Sequence, residues 1–259
     1  MGLLAVARRV GAPSAHDVCV IGGGVTGAGI ARDLSLRGLS VLLLEKGDWG
    51  AGTSGSSTWM IHGGPRYLEF DWDTTRRSCE DAGHIVTIAR HMVYRVAFLI
   101  PILPHDRNNI ERLETAMEVY DRFQPLKKSN PHARLTADEA RQVEPGLTTD
   151  LVGAVTLEEW GVDPHRLVYA NVQDAVANGA RALNHTRVTE LLRDGANVIG
   201  VRYRAADGSM SESRAKVVVN AAGPWVPEVS RMAGGDVQLR TEKGIHLVYP
   251  HRISNFGLS

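Results

Sequence analysis

The sequence contains only two cysteines in 259 residues, Cys19 and Cys79. Neither has a partner at the spacing of a redox pair or of a metal site, and no HExxH arrangement is present among the ten histidines. Cys19 lies within an apolar run, which is typical of a buried core residue. We therefore expect no disulfide, no metal site and a reducing compartment.

The sequence also lacks an excess of charge of either sign. Its 29 basic residues balance 29 acidic ones, so the formal net charge is +0. A neutral chain exerts no long-range attraction on nucleic acid, and we expect no nucleic-acid partner. Any anionic ligand must therefore be recognised by a local group of cations.

Long hydrophobic runs are missing as well. No segment approaches the roughly 18 consecutive apolar residues of a membrane-spanning helix. The apolar run within residues 1–15 is too short for a secretion signal, and its arginines follow the run rather than precede it. Hydrophobic residues nevertheless make up 43% of the chain, enough to bury a sizeable core.

The first 45 residues have the pattern of a β-α-β unit. Residues 17–21 form a short apolar run of the kind seen in buried parallel strands. Residues 25–37 have helical periodicity and are followed by Gly38, and residues 39–45 form a second apolar run. This order predicts a fold of the α/β class that begins with a parallel sheet.

Between the first strand and the helix lies the motif Gly22-x-Gly24-x-x-Gly27. Such glycines permit a tight turn, a close backbone approach to a pyrophosphate and packing of helix on strand. Glu45 ends the second strand, where a carboxylate can accept hydrogen bonds from ribose hydroxyls. Together these features predict a dinucleotide site, and the irregular sequence after Glu45 favours FAD over NAD.

A second motif follows in residues 52–68. It combines hydroxyl and small side chains, including Thr53, Ser54 and Ser57, with the segment His62-Gly63-Gly64-Pro65-Arg66-Tyr67-Leu68. Hydroxyl and backbone groups can line the channel of a phosphate-bearing ligand. A flexible surface loop is the alternative interpretation of the serine-rich part.

The rest of the chain predicts further helices, a meander and one last strand. Pro101 and Pro104 interrupt the stretch that follows the second predicted helix. Predicted helices cover residues 74–92, 109–122, the segment from 136 to just before Pro145, and 163–179. Predicted meander strands cover 184–201 and 211–219, with a turn at Asp207-Gly208; a buried strand covers 217–220, and a strand at 239–250 begins another sheet.

Three segments of the sequence resemble the flavin-linked glycerol-3-phosphate dehydrogenases. They read DVCVIGGGVTGAGIARDLSLRGLSVLLLEKGDWGAGTS from Asp17, IHGGPRYLE from Ile61 and VVVNAAGPWV from Val217. The segments that begin at Asp163 and at Lys243 are similar to two shorter motifs of the same family. The resemblance extends over nearly the whole chain.

The resemblance implies a Rossmann-like FAD-binding domain of the glutathione-reductase or D-amino-acid-oxidase type, followed by the start of a β-sheet substrate domain. We expect an N-terminal extension at 1–16, the FAD-binding domain with inserted helices and the meander at 17–228, and the start of the substrate domain at 229–259. Family members are about twice as long, so we expect this chain to be a fragment, inactive and marginally stable alone.

The resemblance also assigns site residues. The catalytic candidates are His62, Arg66, Tyr67 and His246, with His62 expected near the isoalloxazine, Arg66 as a cation facing the substrate and His246 as an acid or base. A structural ion pair of Arg66 with Glu69 and a strand position for His246 are the alternatives. The expected FAD-binding residues are Gly22, Gly24, Gly27, Glu45, Lys46, Thr53, Ser54, Ser57, His62, Gly63, Val188, Ala222, Gly223 and Trp225.

The implied reaction is oxidation of sn-glycerol 3-phosphate to dihydroxyacetone phosphate, with hydride transfer to FAD and electrons passed to a quinone. The resemblance further implies a cytoplasmic homo-oligomer in peripheral contact with the inner face of the membrane. Two departures from the family pattern are Trp59, where a lysine is usual, and Ile245, where a serine is usual. The alternatives are an FAD-dependent amine or amino-acid oxidase and an inactive flavin-binding fragment.

Overall fold

The computed structural model describes residues 15–242 and 244–259, so residues 1–14 of the predicted extension and Lys243 lie outside the described residues. The described chain divides into two compact units. Unit 1 comprises residues 15–57 and 164–242, and unit 2 comprises residues 58–163 and 244–259.

The strands and helices of the described residues follow in chain order. The strands are β1 (Ala15–Ile21), β2 (Val41–Leu44), β3 (Met60–Ile61), β4 (Val93–Ile102), β5 (Arg134–Thr136), β6 (Gly153–Val162), β7 (Arg181–Leu183), β8 (Arg187–Asp194), β9 (Asn197–Arg204), β10 (Met210–Asn220) and β11 (Gly257–Leu258). The helices are α1 (Val25–Leu36), α2 (Trp72–Ile88), α3 (Ile110–Tyr120), α4 (Gln124–Lys127), α5 (Ala137–Val143), α6 (Pro164–Ala177) and α7 (Val226–Met232).

Unit 1 is built on a six-stranded sheet with the order β7-β2-β1-β10-β9-β8. The four strands from β7 to β10 are parallel, and β9 and β8 continue the sheet in antiparallel pairing. Side chains of β1 alternate between two cores: Val18 and Val20 pack with helices α1 and α6, whereas Cys19 and Ile21 pack with side chains of the meander. Because both faces of the sheet are covered, residues 18–21 of β1 and all of β2 are apolar and buried, as predicted.

Several parallel strands of unit 1 end at the same edge of the sheet. The Gly22 N–H donates to Leu44 O (2.8 Å), and the Ala221 N–H donates to Ile21 O (2.8 Å). The Glu45 N–H donates to Leu183 O (2.9 Å). The glycine turn, Glu45 and the segment after β10 therefore meet where ligands of open α/β sheets bind.

Unit 2 contains a second sheet with the order β11-β4-β6-β3, and β5 also pairs with β6. The long antiparallel pair of β4 with β6, from Val93↔Val162 to Ile102↔Gly153, was not predicted from the sequence. Pro101 lies within β4, and a proline has no N–H to donate to a neighbouring strand. It is tolerated because the other neighbour, β11, pairs only with Phe98 and Leu99.

The predicted helix starts of unit 2 are confirmed by their caps. The Arg112 N–H donates to Asn109 Oδ1 (2.9 Å) at the start of α3. At the start of α5, Thr136 and Glu139 form the reciprocal capping box that their spacing predicts.

The predicted strand at 239–250 is wrong, since its described residues form no regular element. A strand needs a neighbour for its backbone hydrogen bonds, and within the described residues no strand pairs with this segment. Its apolar side chains remain exposed, among them Ile245, Leu247 and Val248. The two compact units also differ from the predicted domain boundaries, because residues 58–163 form a separate unit with the last residues of the chain.

Candidate functional site

The three motif glycines have different surroundings. Gly22 has φ +111°, and a Cβ there would stand 2.4 Å from Ala221 O. A Cβ on Gly27 would stand 1.8 Å from Gly22 O. A Cβ on Gly24 would meet only Ser54 Oγ, at 3.2 Å. Gly22 and Gly27 are therefore required by the turn itself, whereas near Gly24 the only obstacle to a Cβ is one side-chain hydroxyl.

Helix α1 begins beside that space. Its N-cap is Gly24, which has no side chain to cap the free N–H groups of the first turn. The Val25 N–H donates to Ser54 Oγ (2.9 Å), so a hydroxyl oxygen stands where a phosphate oxygen would accept the same hydrogen bond. A helix N-terminus whose cap residue is a glycine is a suitable site for a pyrophosphate.

Glu45 is held in a fixed orientation at the end of β2. Its Oε2 accepts from the Gly23 N–H (2.6 Å) and its Oε1 accepts from the Gly47 N–H (2.7 Å). A carboxylate has about four lone-pair positions, so each oxygen retains one for a ribose hydroxyl. Gly23 is not a motif position. Only a glycine permits this contact, because a Cβ at position 23 would collide with Trp49 and with Glu45 Cβ.

The segment after Glu45 is a series of hydrogen-bonded turns. The Gly50 N–H donates to Gly23 O (2.9 Å), and the Gly55 N–H donates to Gly50 O (2.8 Å). The backbone of Gly55 lies against the ring of His165, leaving no room for a Cβ. Of the predicted hydroxyl ligands in this segment, Ser54 contacts the start of α1, while Thr53 and Ser57 are exposed.

The segment after β10 borders the candidate site on the side opposite Glu45, since β1 lies between β2 and β10 in the sheet. The Ala222 N–H donates to Asn220 Oδ1 (3.3 Å), and Asn220 Nδ2 donates to Val226 O (3.0 Å). This amide, which the sequence analysis did not single out, fixes the turn that contains Gly223 at φ +54°.

Lys46 and Trp225, both predicted to bind the cofactor, contact each other in unit 1. The Lys46 Nζ lies 3.3 Å from the centre of the Trp225 ring, a cation–π contact. Burial lowers the pKa of Lys46. Val188, also predicted to bind the cofactor, is buried in the core beside β1 and β2, so only its backbone is available to a ligand.

The catalytic candidates His62, Arg66 and Tyr67 lie together in unit 2, after the short strand β3. The rings of His62 and Tyr67 are 5.3 Å apart, and the Gly64 N–H donates to His62 Nδ1 (3.1 Å). Burial, assisted by the positive charge of Arg66, lowers the pKa of His62. The neutral imidazole therefore carries its hydrogen on Nε2, which can donate to a ligand.

A buried polar cluster lies behind this segment. Lys127, fully buried, donates to Glu159 Oε1 (2.6 Å), to Tyr120 Oη (3.1 Å) and to Glu158 O (2.7 Å). Gly63 packs directly on the cluster, because a Cβ there would stand 2.2 Å from Tyr120 Oη. Sequence reasoning missed these residues, since they are distant from the motif in the chain.

The cluster and helix α2 also bond the backbone of the turn. Cys79 Sγ donates to Gly63 O (3.1 Å), and Thr75 Oγ1 donates to Gly64 O (3.0 Å). Side chains of helix α2 thus donate hydrogen bonds to the carbonyls of both Gly63 and Gly64. Gly63, predicted to bind FAD, is buried, and in this structure its surroundings are those of a packing position.

Arg66 is exposed, and no ion pair involves it within the described residues. The alternative pair with Glu69 is not formed, since Glu69 contacts Arg112 instead (3.6 Å). His246 is also exposed, in a stretch without regular structure. Within the described part of the chain, no group of side chains could hold a metal ion, and no helix has the length and apolar character needed to cross a membrane.

The strand, glycine turn, helix, strand and terminal carboxylate of unit 1 define a dinucleotide-binding oxidoreductase fold. The chain belongs to the FAD dependent oxidoreductase family, whose model matches residues 17–257. FAD is the cofactor of this family. Gly24 at the N-cap of α1 and the oriented carboxylate of Glu45 fit its pyrophosphate and ribose.

Among known proteins, the chain is similar to components of anaerobic glycerol-3-phosphate dehydrogenases. It is 37% identical over 241 residues to one such component from Haloferax volcanii, covering 88% of this chain and 40% of that protein. It is 37% identical over 244 residues to the corresponding component of the Escherichia coli enzyme, covering 92% of this chain and 43% of that protein.

A solved structure gives the same relationship. The glycerol-3-phosphate dehydrogenase of Bacillus halodurans, solved in complex with FAD, superposes with a TM-score of 0.64 at 30% identity, over 84% of this chain and 36% of that one. The chain thus spans about two fifths of the length of the curated relatives it matches.

Proposed function

We propose that the protein oxidises sn-glycerol 3-phosphate to dihydroxyacetone phosphate with FAD as hydride acceptor. The main support is an unpaired, exposed arginine, Arg66, beside the neutral imidazole of His62, in a chain whose similar proteins are named glycerol-3-phosphate dehydrogenases. In a chain of zero net charge, an anionic substrate needs such a local cation.

The proposed roles follow from the chemistry of the side chains. The guanidinium of Arg66 pairs with the substrate phosphate through two parallel hydrogen bonds. The Nε2–H of His62 donates to a substrate or cofactor oxygen, and Tyr67 packs on the imidazole and limits its rotation. His246 is the proposed partner for the proton of the C2 hydroxyl.

The remaining parts of the proposal rest on the resemblance to the family. Bound FAD supplies the two-electron acceptor for the hydride that leaves C2 of the substrate. We propose a quinone as the final acceptor, a homo-oligomeric enzyme, and peripheral contact with the inner face of the membrane from the cytoplasm.

Substrate oxidation by the natural full-length protein tests the reaction. Reduction of an artificial electron acceptor should require sn-glycerol 3-phosphate and should not occur with glycine, proline or D-alanine. Turnover of an amino acid in place of glycerol 3-phosphate would assign the protein to the alternative class of amine and amino-acid oxidases.

Substitution of Arg66 tests the site. We expect Arg66→Ala to lower kcat/KM for glycerol 3-phosphate about tenfold or more, because hydrogen bonds between charged groups contribute about 1.5–3 kcal/mol. FAD content and Tm should change little, since Arg66 is exposed. Arg112→Ala, which removes another exposed arginine of unit 2, is the control. Equal kinetics of wild type and Arg66→Ala would remove Arg66 from the substrate site.

A further inference from the structure

Helix α2 presents two buried hydrogen-bond donors to the turn after β3. Thr75 and Cys79 lie on the buried face of α2, one helical turn apart, so their side chains reach two successive carbonyls of the turn. Thr75 Oγ1 donates to Gly64 O (3.0 Å), and Cys79 Sγ donates to Gly63 O (3.1 Å). The contact of Cys79 matters more for the candidate site, because the peptide group that it holds also contacts His62.

One peptide group connects Cys79 to His62. The carbonyl of Gly63 accepts from the thiol, and the N–H at the other end of the same peptide bond, that of Gly64, donates to His62 Nδ1 (3.1 Å). A peptide bond is planar, so a fixed oxygen also fixes the direction of the N–H. We propose that Cys79 is a positioning residue for His62, whose thiol acts through this peptide to keep the imidazole as the Nε2–H tautomer in one orientation.

The surroundings of Cys79 preserve its hydrogen. The side chain is fully buried, and burial raises the pKa of the thiol, so that it stays neutral and able to donate. Tyr120 Oη lies 3.9 Å from Cys79 Sγ. The other cysteine, Cys19, is equally buried but packs among apolar side chains of unit 1. Cys79 is therefore placed against hydrogen-bonding groups, whereas Cys19 fills a core.

The buried polar cluster encloses the same peptide from another side. Tyr120 Oη donates to Glu159 Oε1 (2.9 Å), which also accepts from Lys127 Nζ (2.6 Å), so the hydroxyl is held in place. A Cβ on Gly63 would stand 2.2 Å from that hydroxyl and 2.8 Å from Glu159 Oε2. This close packing limits rotation of the peptide and keeps its carbonyl directed at Cys79.

The charges around His62 do not by themselves choose the tautomer. Strand β3 pairs with β6 in a register whose next position sets His62 opposite Glu159. Burial lowers the pKa of the imidazole, Glu159 raises it, and Arg66 and Lys127 lower it. These effects decide how readily the ring becomes charged. The hydrogen bond from the Gly64 N–H selects between the two neutral tautomers, because a nitrogen that accepts a hydrogen bond cannot carry a hydrogen itself.

The tautomer of His62 can be measured without substrate, in the full-length protein loaded with FAD and containing isotope-labelled histidine. Long-range proton–nitrogen correlation spectra distinguish Nδ1 from Nε2, and a His62→Gln sample identifies the signals. We expect the Nε2–H tautomer alone in the wild type and in Cys79→Ser, which retains a donor. Cys79→Ala differs from the serine variant by one hydroxyl. It should show both tautomers and a raised pKa of His62, because a freed Gly64 N–H no longer opposes a proton on Nδ1.

Two variants serve as controls for a general loosening of the protein. Thr75→Val removes the hydrogen bond to Gly64 O, and the peptide of that carbonyl ends at Pro65, which has no N–H. Cys19→Ala removes a buried thiol from unit 1. Neither variant should change the tautomer of His62.

The effect on rate rests on the proposed function. In Cys79→Ala, kcat for glycerol 3-phosphate should fall about three- to tenfold, as for the loss of one neutral hydrogen bond, with KM and FAD content little changed. Cys79→Ser should restore most of this loss. A changed tautomer with an unchanged kcat would support the inference and count against the role proposed for His62.

Three results would overturn the inference. The first is a Cys79→Ala protein with the tautomer and the His62 pKa of the wild type. The second is a Cys79→Ser protein that differs from the wild type as much as the alanine variant does, since the thiol would then act by packing alone. The third is an equal change in Thr75→Val, which would trace the effect to loosening of the turn.

Discussion

At the scale of single residues, Gly24 and Gly27 have different roles within one turn. A Cβ on Gly27 would collide with a backbone carbonyl that cannot move without opening the turn, whereas a Cβ on Gly24 would meet only one side-chain hydroxyl. Both residues are glycines of the same motif, but only Gly24 leaves room for something other than protein.

We predict that Gly24→Val abolishes FAD binding and leaves the fold intact. The valine side chain would occupy the space through which a pyrophosphate approaches the first turn of α1. Flavin absorbance of the purified protein and far-UV circular dichroism measure the two effects.

Gly27→Val is the companion variant, and we expect it to lose the native fold as well as the flavin. The Cβ clash of 1.8 Å with Gly22 O involves backbone on both sides. A Gly24→Val protein that remained yellow would show that the pyrophosphate binds elsewhere.

At the scale of structural elements, the buried cluster holds the turn after β3 against helix α2 and strand β6. Burial lowers the pKa of Lys127, and the adjacent Glu159 opposes this effect by favouring the charged ammonium. Glu159 Oε2 has no hydrogen-bond partner within the described residues. Removal of either charge should therefore destabilise unit 2, because each charge is compensated mainly by the other.

We predict that Lys127→Met lowers the free energy of unfolding by about 3–5 kcal/mol, since it leaves a buried carboxylate without its partner. The double variant Lys127→Met/Glu159→Leu should recover most of this loss, because no uncompensated charge remains. Urea denaturation followed by fluorescence gives the comparison.

Removal of an exposed ion pair provides the control for this experiment. Arg76 contacts Asp73 and Glu80 on the surface of α2, and Arg76→Met should cost less than about 1 kcal/mol. If Lys127→Met were as mild as Arg76→Met, the cluster would not stabilise the turn.

At the scale of the whole molecule, the groups that fit the pyrophosphate and ribose of FAD come from distant parts of the chain but from one unit. Glu45 and Ser54 precede residues 58–163, which belong to unit 2, and Asn220 follows them. Binding of the pyrophosphate should therefore protect peptides that are far apart in sequence.

We predict that FAD slows hydrogen exchange most in residues 22–27, 47–57 and 221–225. Helix α3 of unit 2 serves as the internal reference and should change least. A ligand at 100 times its Kd stabilises the form it binds by about 2.7 kcal/mol, which is ample for detection by mass spectrometry. Equal protection of α3 and of the glycine turn would contradict the assignment of these segments to the cofactor.

Much of unit 1 could be predicted from the sequence because its signals are local. The apolar runs of β1 and β2, the glycine motif and the turn at Asp207-Gly208 each have a short-range physical cause, and the structure confirms them. The sheet of unit 2 could not be predicted in this way. The pairing of β4 with β6 joins residues as far apart as Val93 and Val162, and Pro101 gives a misleading local signal.

The sequence by itself determined the β-α-β opening, the glycine turn and the carboxylate that ends β2, since contacts between near neighbours in the chain decide these features. Only the tertiary structure decided that Gly63 packs on Lys127, Tyr120 and Glu159. It also decided that residues 239–242 and 244–250 form no strand. Each of these outcomes depends on which distant segment lies alongside, and long-range pairing is settled by the packing of the whole chain rather than by local pattern.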